Sequence, residues 1–221
     1  MELLTNGVGL SVVVFFPLIS AFIITLIPKA QEQLIKGFAL VSSLITFVLS
    51  AVLLFQFDFS SADKLQLGNK ISWIKSINAN YEIGIDGISL PLLVLSTFIT
   101  VLAIIYSIEH LPEPKSPKGF LALILVLETG MNGTFVALDL ILFFVFFEIV
   151  LLPMYFMIGI WGDKTVRTVS GFKNQIETRL YASIKFFVFT LFGSAFMLLG
   201  FLGLYYRGNK TFSIPELIEL G

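Results

Sequence analysis

Three ionisable side chains interrupt long apolar stretches of this sequence: Glu128, Glu148 and Lys185. A charge at the centre of a bilayer costs at least about 2.5 kcal/mol on insertion scales, so such residues are rare and usually functional. Carboxyl and amino groups that exchange protons in an apolar setting can form a proton relay. These three residues are therefore the candidate functional residues.

Glu148 is the strongest of the three because it lies near the middle of its apolar stretch. In a helix it shares a face with Tyr155 and Gly159, at i+7 and i+11. Pro153 cannot donate a backbone hydrogen bond to the carbonyl of Ile149, which leaves a free acceptor beside the acid and predicts a kink. This setting favours proton binding by Glu148 over a permanently protonated glutamate that bonds to a neighbouring helix.

Lys185 lies near the start of its apolar stretch, where its side chain could extend to the membrane surface. At helical spacing it shares a face with Gly193, Gly200 and Gly203, and small residues are typical of helix-packing faces. We expect Lys185 to face the bundle interior. At about 1.5 Å per residue, its depth differs from that of Glu148 by roughly 12 Å, which argues against a direct ion pair and for a water-linked relay.

Glu128 also lies near mid-membrane, shortly before Gly130 and the pair Asn132-Gly133. Two roles remain open for it at this point. It could be a second relay site, or it could be a hydrogen-bonding partner for a helix end broken by the glycines.

The composition excludes most other kinds of chemistry. The chain has 221 residues, of which 57% are hydrophobic and 13% charged, with no cysteine and one histidine. Thiolate metal or iron–sulfur sites therefore need residues that the sequence lacks, and we expect no cofactor and no metal in this chain. The balance of 14 Lys and Arg against 15 Asp and Glu gives no basic footprint for nucleic acid. The lipid bilayer is the expected surroundings.

A transmembrane helix needs about 20 apolar residues to cross a hydrocarbon core of about 30 Å. Six windows qualify: Val8–Ile27, Gly37–Phe57, Gly87–Ile108, Gly119–Leu138, Leu140–Trp161 and Leu180–Tyr206. The fourth and fifth windows almost join, and we separate them over 132–139, with Asp139 as the N-cap of the fifth helix. The predicted fold is an all-α integral membrane protein with about six transmembrane helices.

The basic residues predict the orientation in the membrane. The loops after the first, third and fifth windows contain Lys29, Lys36, Lys115, Lys118, Lys164, Arg167, Lys173 and Arg179. The opposite side contains Lys64, Lys70, Lys75, Arg207 and Lys210. This bias places the short loops in the cytoplasm and both termini outside. In the long outer loop, 71–74 and 81–85 are candidate short strands, and Asp86 is the expected cap of the third helix.

The string Val136–Gly162, VALDLILFFVFFEIVLLPMYFMIGIWG, strongly resembles a fifth-helix signature. It is that of the antiporter-like membrane subunit M (chain 4) of proton-pumping NADH:quinone oxidoreductase, respiratory complex I. Tyr181–Thr190 resembles that family's next helix, and Gly84–Pro91 its third-helix entry. Loop 163–179 is longer than the family's usual connection and could be an insertion that contacts a neighbour.

The resemblance implies a fold, a function and partners. The family has about fourteen spans in two inverted repeats, so the chain corresponds to an N-terminal portion, with 1–118 as a three-helix segment carrying a long outer loop and 119–221 as the start of the first repeat. Glu148 matches the functional fifth-helix glutamate, and Lys185 matches a sixth-helix lysine. The implied function is proton translocation as a subunit of an oxidoreductase, in a bacterial inner membrane, beside other membrane subunits that include antiporter-like neighbours. The alternatives are a stand-alone cation/proton antiporter component and a truncated structural or assembly subunit.

Overall fold

The computed structural model of the protein describes residues 7–112, 114, 116–167 and 176–220. Its long helices are α1 (Val8–Leu26), α2 (Glu32–Gln56), α3 (Ser89–Glu109), α4 (Pro117–Val136), α5 (Leu140–Trp161) and α6 (Thr178–Arg207). In the described part of the chain, these six are long and apolar enough to cross a membrane. The six predicted windows are therefore confirmed, with boundaries that move by a few residues.

The long loop between α2 and α3 forms a β-hairpin at one end of the bundle. We call this end of the bundle the outer end and the opposite end the inner end. Strand β1 (Gln66–Ile74) pairs antiparallel with β2 (Ala79–Ile85), with Ile71 opposite Tyr81. The chain reverses through Asn78, which has a φ of 53°, in the left-handed region that asparagine tolerates better than most residues. The two predicted short strands are confirmed, and both are longer than expected.

The predicted cap at Asp139 is confirmed, whereas the N-cap of α3 is Ile88 and Asp86 bonds to the start of this helix from two residues before it. The Asp86 carboxylate accepts hydrogen bonds from the backbone N–H groups of Ile88 and Ser89, at 3.0 and 2.7 Å. The Asp139 carboxylate accepts from those of Ile141 and Leu142, at 2.9 and 3.2 Å. Each carboxylate satisfies N–H groups that a helix start leaves without an intrahelical partner.

The fourth helix does not break at Asn132-Gly133. It continues to Val136, and the chain turns over 137–139 before α5 begins. The predicted dividing region was therefore right at its outer end only, because the close packing of α4 against α5 stabilises helical glycines that propensity alone disfavours.

Helix α4 lies at the centre of the bundle, in contact with α1, α2, α3 and α5. Helix α6 packs mainly against α5. The predicted division of the chain at residue 118 falls in the first turn of α4. Helix α4 packs extensively against helices on both sides of that boundary, and the division stays a prediction.

Two further features were not expected. A short helix α7 (Ile214–Glu219) follows α6. In the loop between α5 and α6, strand β3 (Val166–Arg167) pairs antiparallel with strand β4 (Ile176–Glu177). Residues 168–175 of the predicted longer loop lie outside the described residues. So does Lys115, which like Lys173 is one of the basic residues that predict the orientation.

Candidate functional site

Glu148 lies on the face of α5 that turns toward α6. It shares this face with Tyr155 and Gly159, as expected from helical spacing. The ring of Tyr155 lies 5.3 Å from that of Phe187, centroid to centroid, and Gly159 is in close contact with Ser183. Glu148 is half-buried, and no hydrogen bond joins it to another described residue. Its carboxyl is therefore available to bind a proton or water.

The antiparallel register of α5 and α6 fixes the depth of Glu148 against its neighbour. Tyr155 lies opposite Phe187, and Phe143 lies opposite Phe201, with ring centroids 6.2 Å apart. Glu148 falls between these pairs, level with Ser194, which is 3% exposed and lies on the same face of α6 as Phe187 and Phe201. The Ser194 hydroxyl donates to the carbonyl of Leu191 at 3.0 Å, so its oxygen remains an acceptor.

Helix α5 continues through Pro153. Proline has no N–H, so the carbonyl of Ile149 loses its intrahelical donor next to Glu148. The predicted free acceptor is thus present beside the acid.

The opposite face of α5 packs tightly against α4 through two glycines. A Cβ built on Gly133 would lie 2.2 Å from the Phe146 ring, and one on Gly130 would lie 2.6 Å from Cγ2 of Val150. We call Gly130 and Gly133, with Phe146 and Val150, the glycine seam. No larger side chain fits there without movement, and the seam places Glu128 and Glu148 at nearly the same depth.

Glu128 points away from Glu148, into the bundle formed by α1 to α4. Its side chain is 0% exposed, and neither carboxyl oxygen has a hydrogen-bond partner among the described residues. It is two turns from the actual end of α4, which excludes the broken-helix-end role left open by the sequence. The structure therefore separates the two mid-membrane acids into different compartments.

Lys185 does not face the helices that the structure describes. Its side chain is exposed and lies on the side of α6 opposite Ser183 and Phe187, which contact α5. Its Nζ is 5.6 Å from the centroid of the Tyr181 ring. Gly193, Gly200 and Gly203 share its side of α6 and have open space where a Cβ would lie. The expectation that Lys185 faces the bundle interior is wrong for this part of the chain.

Among the described residues Glu148 and Lys185 form no ion pair, in agreement with the predicted difference in depth. No group of three or more His, Asp and Glu side chains in the described part of the chain could hold a metal ion. The expected absence of a cofactor stays a prediction.

Asp139 has a wider structural role than the cap that the sequence predicts. It is 0% exposed, and besides capping α5 it accepts a hydrogen bond from the backbone N–H of Asn80 at 2.9 Å. The segment after α6 also bonds to the turn between α4 and α5, because the N–H of Leu140 donates to the carbonyl of Phe212 at 2.9 Å. An aspartate before an apolar run signals a cap, but no local pattern signals contacts with distant strands.

An ionic cluster joins the same outer elements at the surface. Lys70 on β1 lies 3.2 Å from the Glu82 carboxylate and 2.6 Å from that of Glu216 on α7. The hydrogen bond from Lys70 is the main cause that lowers the pKa of Glu216. The hairpin, the turn between α4 and α5, and the segment after α6 thus form one outer cap at the start of α5, the helix that contains Glu148.

Comparison with known proteins fits these features. The family described as NADH-ubiquinone oxidoreductase chain 4, amino terminus, matches residues 65–134. The family described as NADH:quinone oxidoreductase/Mrp antiporter, TM, matches residues 137–220, which include Glu148 and Lys185. The chain resembles the antiporter-like subunit M (chain 4) family in both of these regions. Its resemblance in sequence to that family is thereby confirmed.

Curated relatives of the family are longer than this chain. The chain is 36% identical over 213 residues to the F(420)H(2) dehydrogenase subunit M of Methanosarcina mazei, which covers 94% of this chain and 39% of the relative. It is 33% identical over 214 residues to the NADH-quinone oxidoreductase subunit M of Rickettsia prowazekii, covering 96% and 40%. The chain thus spans about two fifths of the length of the curated relatives it matches.

Solved structures share the fold. Respiratory complex I from Thermus thermophilus contains a chain that matches with a TM-score of 0.75 at 22% identity, covering 95% of this chain and 39% of that one. The Mrp complex from Dietzia matches with a TM-score of 0.71 at 17% identity, covering 94% and 20%. The fold is therefore that of an integral membrane, antiporter-like subunit.

Proposed function

We propose that this chain is a proton-translocating membrane subunit of an NADH:quinone oxidoreductase, in which quinone reduction elsewhere in the complex drives proton movement through buried ionisable residues. The two family matches and the position of Glu148 support this proposal. The single observation that carries it is a mid-membrane carboxyl on the α6-facing side of α5, beside a free backbone carbonyl and level with a buried serine hydroxyl.

Glu148 binds the proton in this mechanism. A carboxyl in an apolar setting binds or releases a proton according to nearby charge and water. The carbonyl of Ile149 and the hydroxyl of Ser194 offer acceptors for water beside it, so a proton has a polar neighbour when it arrives or leaves. The glycine seam and the Asp139 cap hold α5 in place, so the carboxyl stays at mid-membrane while its charge changes.

Lys185 is the second group of the proposed path. It lies nearer the inner end of α6 and on its outward side, so it acts through water or through residues of neighbouring chains rather than by pairing with Glu148. The outward side of α5 and α6 also leaves room for other membrane subunits of the complex, including antiporter-like neighbours, and for lipid.

The proposed location is a bacterial plasma membrane, with the outer cap and both termini outside. The basic residues of the short loops support this orientation. Lys29, Lys118 and Lys164 all lie at the end of the bundle opposite the β-hairpin.

The test is E148Q in the assembled complex, with NADH-driven proton pumping and quinone reduction both measured. Glutamine has nearly the same volume as glutamate but cannot release a proton, so we expect pumping to be lost in a complex that still assembles. The matched control is E109Q, which changes an exposed acid at the inner end of α3 and is expected to retain pumping.

Near-normal pumping by E148Q would refute the proposal. Cation-driven proton exchange in vesicles that contain neither NADH nor partner subunits would support a stand-alone antiporter component instead. Normal assembly and pumping in a complex that lacks this chain would reduce it to a dispensable structural part.

A further inference from the structure

The compartment around Glu128 has no role in the function proposed so far. Glu128 is fully buried, and both of its carboxyl oxygens lack a hydrogen-bond partner among the described residues. Burying a neutral carboxylic acid without a hydrogen-bond partner costs free energy, and burying an unpaired carboxylate costs far more. Something in this compartment must therefore compensate for it.

Two contacts between α1 and α4 fix the depth of Glu128. Near the inner end, Nζ of Lys118 donates to the carbonyl of Ile27 at 2.7 Å. Further out, Nδ2 of Asn132 donates to the carbonyl of Val13 at 3.4 Å, an acceptor that Pro17 leaves without its intrahelical donor. Between these contacts the antiparallel register places Glu128 level with Pro17.

A third contact gives the neighbour of Glu128 on α3. The hydroxyl of Ser96 lies 3.5 Å from Oδ1 of Asn132. Since α3 and α4 are antiparallel, one turn inward from this pair brings Glu128 level with Thr100, which is 3% exposed. The carboxyl therefore lies at the level of a buried hydroxyl.

Buried hydroxyls line the compartment, but most are already used as donors. Those of Ser43, Thr46, Ser50, Thr97, Thr100 and Ser107 each lie within 3.1 Å of a carbonyl on their own helix. A hydroxyl that donates its proton has only acceptor lone pairs left. These six hydroxyls therefore offer mainly hydrogen-bond acceptors, which suit a protonated carboxylic acid better than a carboxylate.

No cation faces the compartment to stabilise a carboxylate. Helix α1 contains no charged residue over Val8–Leu26. The charged residues of α2 and α3 are Glu32, Lys36 and Glu109, all at the inner ends of those helices. On α4 the ammonium of Lys118 bonds to a carbonyl at the inner end, and on α5 Glu148 lies on the far side of the glycine seam.

We propose that Glu128 keeps its proton throughout turnover and, as a neutral acid, donates a hydrogen bond to a hydroxyl oxygen of this compartment, either directly or through an internal water molecule. The bundle of α1 to α4 is then an insulated scaffold, and proton movement is confined to the α5–α6 side of the seam. This inference deepens the proposed function and rests on it for the route, but the protonation of Glu128 stands on its own.

The experiment measures the protonation of Glu128 directly in the purified complex. Infrared difference spectra between wild type and E128Q identify the carbonyl stretch of a protonated Glu128. We expect this band to be present from acidic to alkaline pH and to remain unchanged on addition of NADH. A band that disappears as the pH rises, or during turnover, would overturn the proposal.

Proton pumping gives the second readout. E128Q replaces the acid by a neutral group that can still donate a hydrogen bond, so we expect no loss of pumping and no loss of thermal stability. E128L cannot donate, and we expect it to lower thermal stability. The control is T129V, which removes a buried hydroxyl that bonds to the carbonyl of Leu125 on its own helix and is expected to leave pumping intact.

The outcomes separate this inference from the proposed function. Loss of pumping in an assembled E128Q complex would overturn the inference and make Glu128 a relay group. Retained pumping in E148Q would refute the proposed function, while the infrared band would still test Glu128. If E128Q fails to assemble, E128D gives the same test, because a protonated aspartate shifts the band without removing it.

Discussion

Helices α4 and α6 contain comparable apolar stretches and one membrane-embedded charged residue each, yet they occupy opposite environments. In α4, 61% of the most apolar window is buried inside the protein, whereas in α6 the share is 6%. Glu128 on α4 is completely enclosed, and Lys185 on α6 is exposed on the outward side. Both helices are long and apolar enough to cross a membrane, and it is their packing that gives them different environments.

The glycines of the two helices show the same contrast. Gly130 and Gly133 of α4 are in close contact with α5, while Gly193, Gly200 and Gly203 of α6 have open space around them. Both sets look alike in sequence, because small residues are typical of helix-packing faces. On α4 the expectation is fulfilled by α5, and on α6 no described residue fulfils it.

The largest expected effect tests this contrast in the glycines. G133A would place a Cβ 2.2 Å from the Phe146 ring, so we expect it to lower the free energy of unfolding by about 3 kcal/mol, at the upper end of the overpacking range. The matched variant G200A places its Cβ in open space and should have almost no effect. Thermal denaturation in detergent measures both, and equal effects would contradict the difference between the helices.

The next largest effect concerns the link at the outer end of α4. D139A removes the cap of α5 and the acceptor of the Asn80 N–H, and we expect a loss of roughly 2 kcal/mol. D139N keeps one side-chain oxygen for the cap and loses the acceptor for Asn80, so it should cost about half as much. The same denaturation experiment applies, and a D139A variant as stable as wild type would show that the outer cap does not stabilise α5.

A smaller effect on stability is expected at Lys185. K185A removes a side chain on the open side of α6, and we expect the free energy of unfolding to change by less than about 0.5 kcal/mol. Proton pumping should nevertheless decrease if Lys185 belongs to the path. Unchanged pumping in the assembled complex would assign Lys185 to the membrane surface instead.

The smallest expected effect on stability concerns the ion pair between Lys70 and Glu216, which joins α7 to the hairpin at the outer end of α6. The hydrogen bond from Lys70 lowers the pKa of Glu216 from its ordinary value of 4.5. A lowered pKa gives a stabilising contribution that is present above about pH 4.5 and is lost as the pH falls through the pKa of the folded state.

The measurement compares the melting temperature of wild type and E216Q as a function of pH. We expect the two to differ slightly at neutral pH and to converge under acidic conditions. Because both side chains are nearly half exposed, the difference should also shrink as salt is added. A difference that grows on acidification would have the wrong sign and would exclude this pair as its source.

Much of the fold could be predicted because its signals are local. The six spans follow from apolar length, and the cap at Asp139 follows from a short polar residue before an apolar run. The end of α4 was predicted less well, since tertiary contacts at Gly130 and Gly133 outweigh helix propensity. Helix α7 and the bonds from Asn80 and Leu140 to distant segments have no local signal at all.

The candidate site divides in the same way. The position of Glu148 and its face with Tyr155 were predictable from spacing along one helix. The direction of Lys185 was predicted wrongly, because a face of small residues shows that a helix can pack closely but not which helix it packs against.

The sequence by itself determined that this chain has six stretches long and apolar enough to cross a membrane, which residues carry charge within them, and which family it resembles. Only the tertiary structure decided that Glu128 and Glu148, at nearly the same depth, face different compartments. The physical reason is that lipid and protein interior are equally apolar. Hydrophobic periodicity, which separates core from surface in water, therefore does not show which side of a transmembrane helix faces its neighbours.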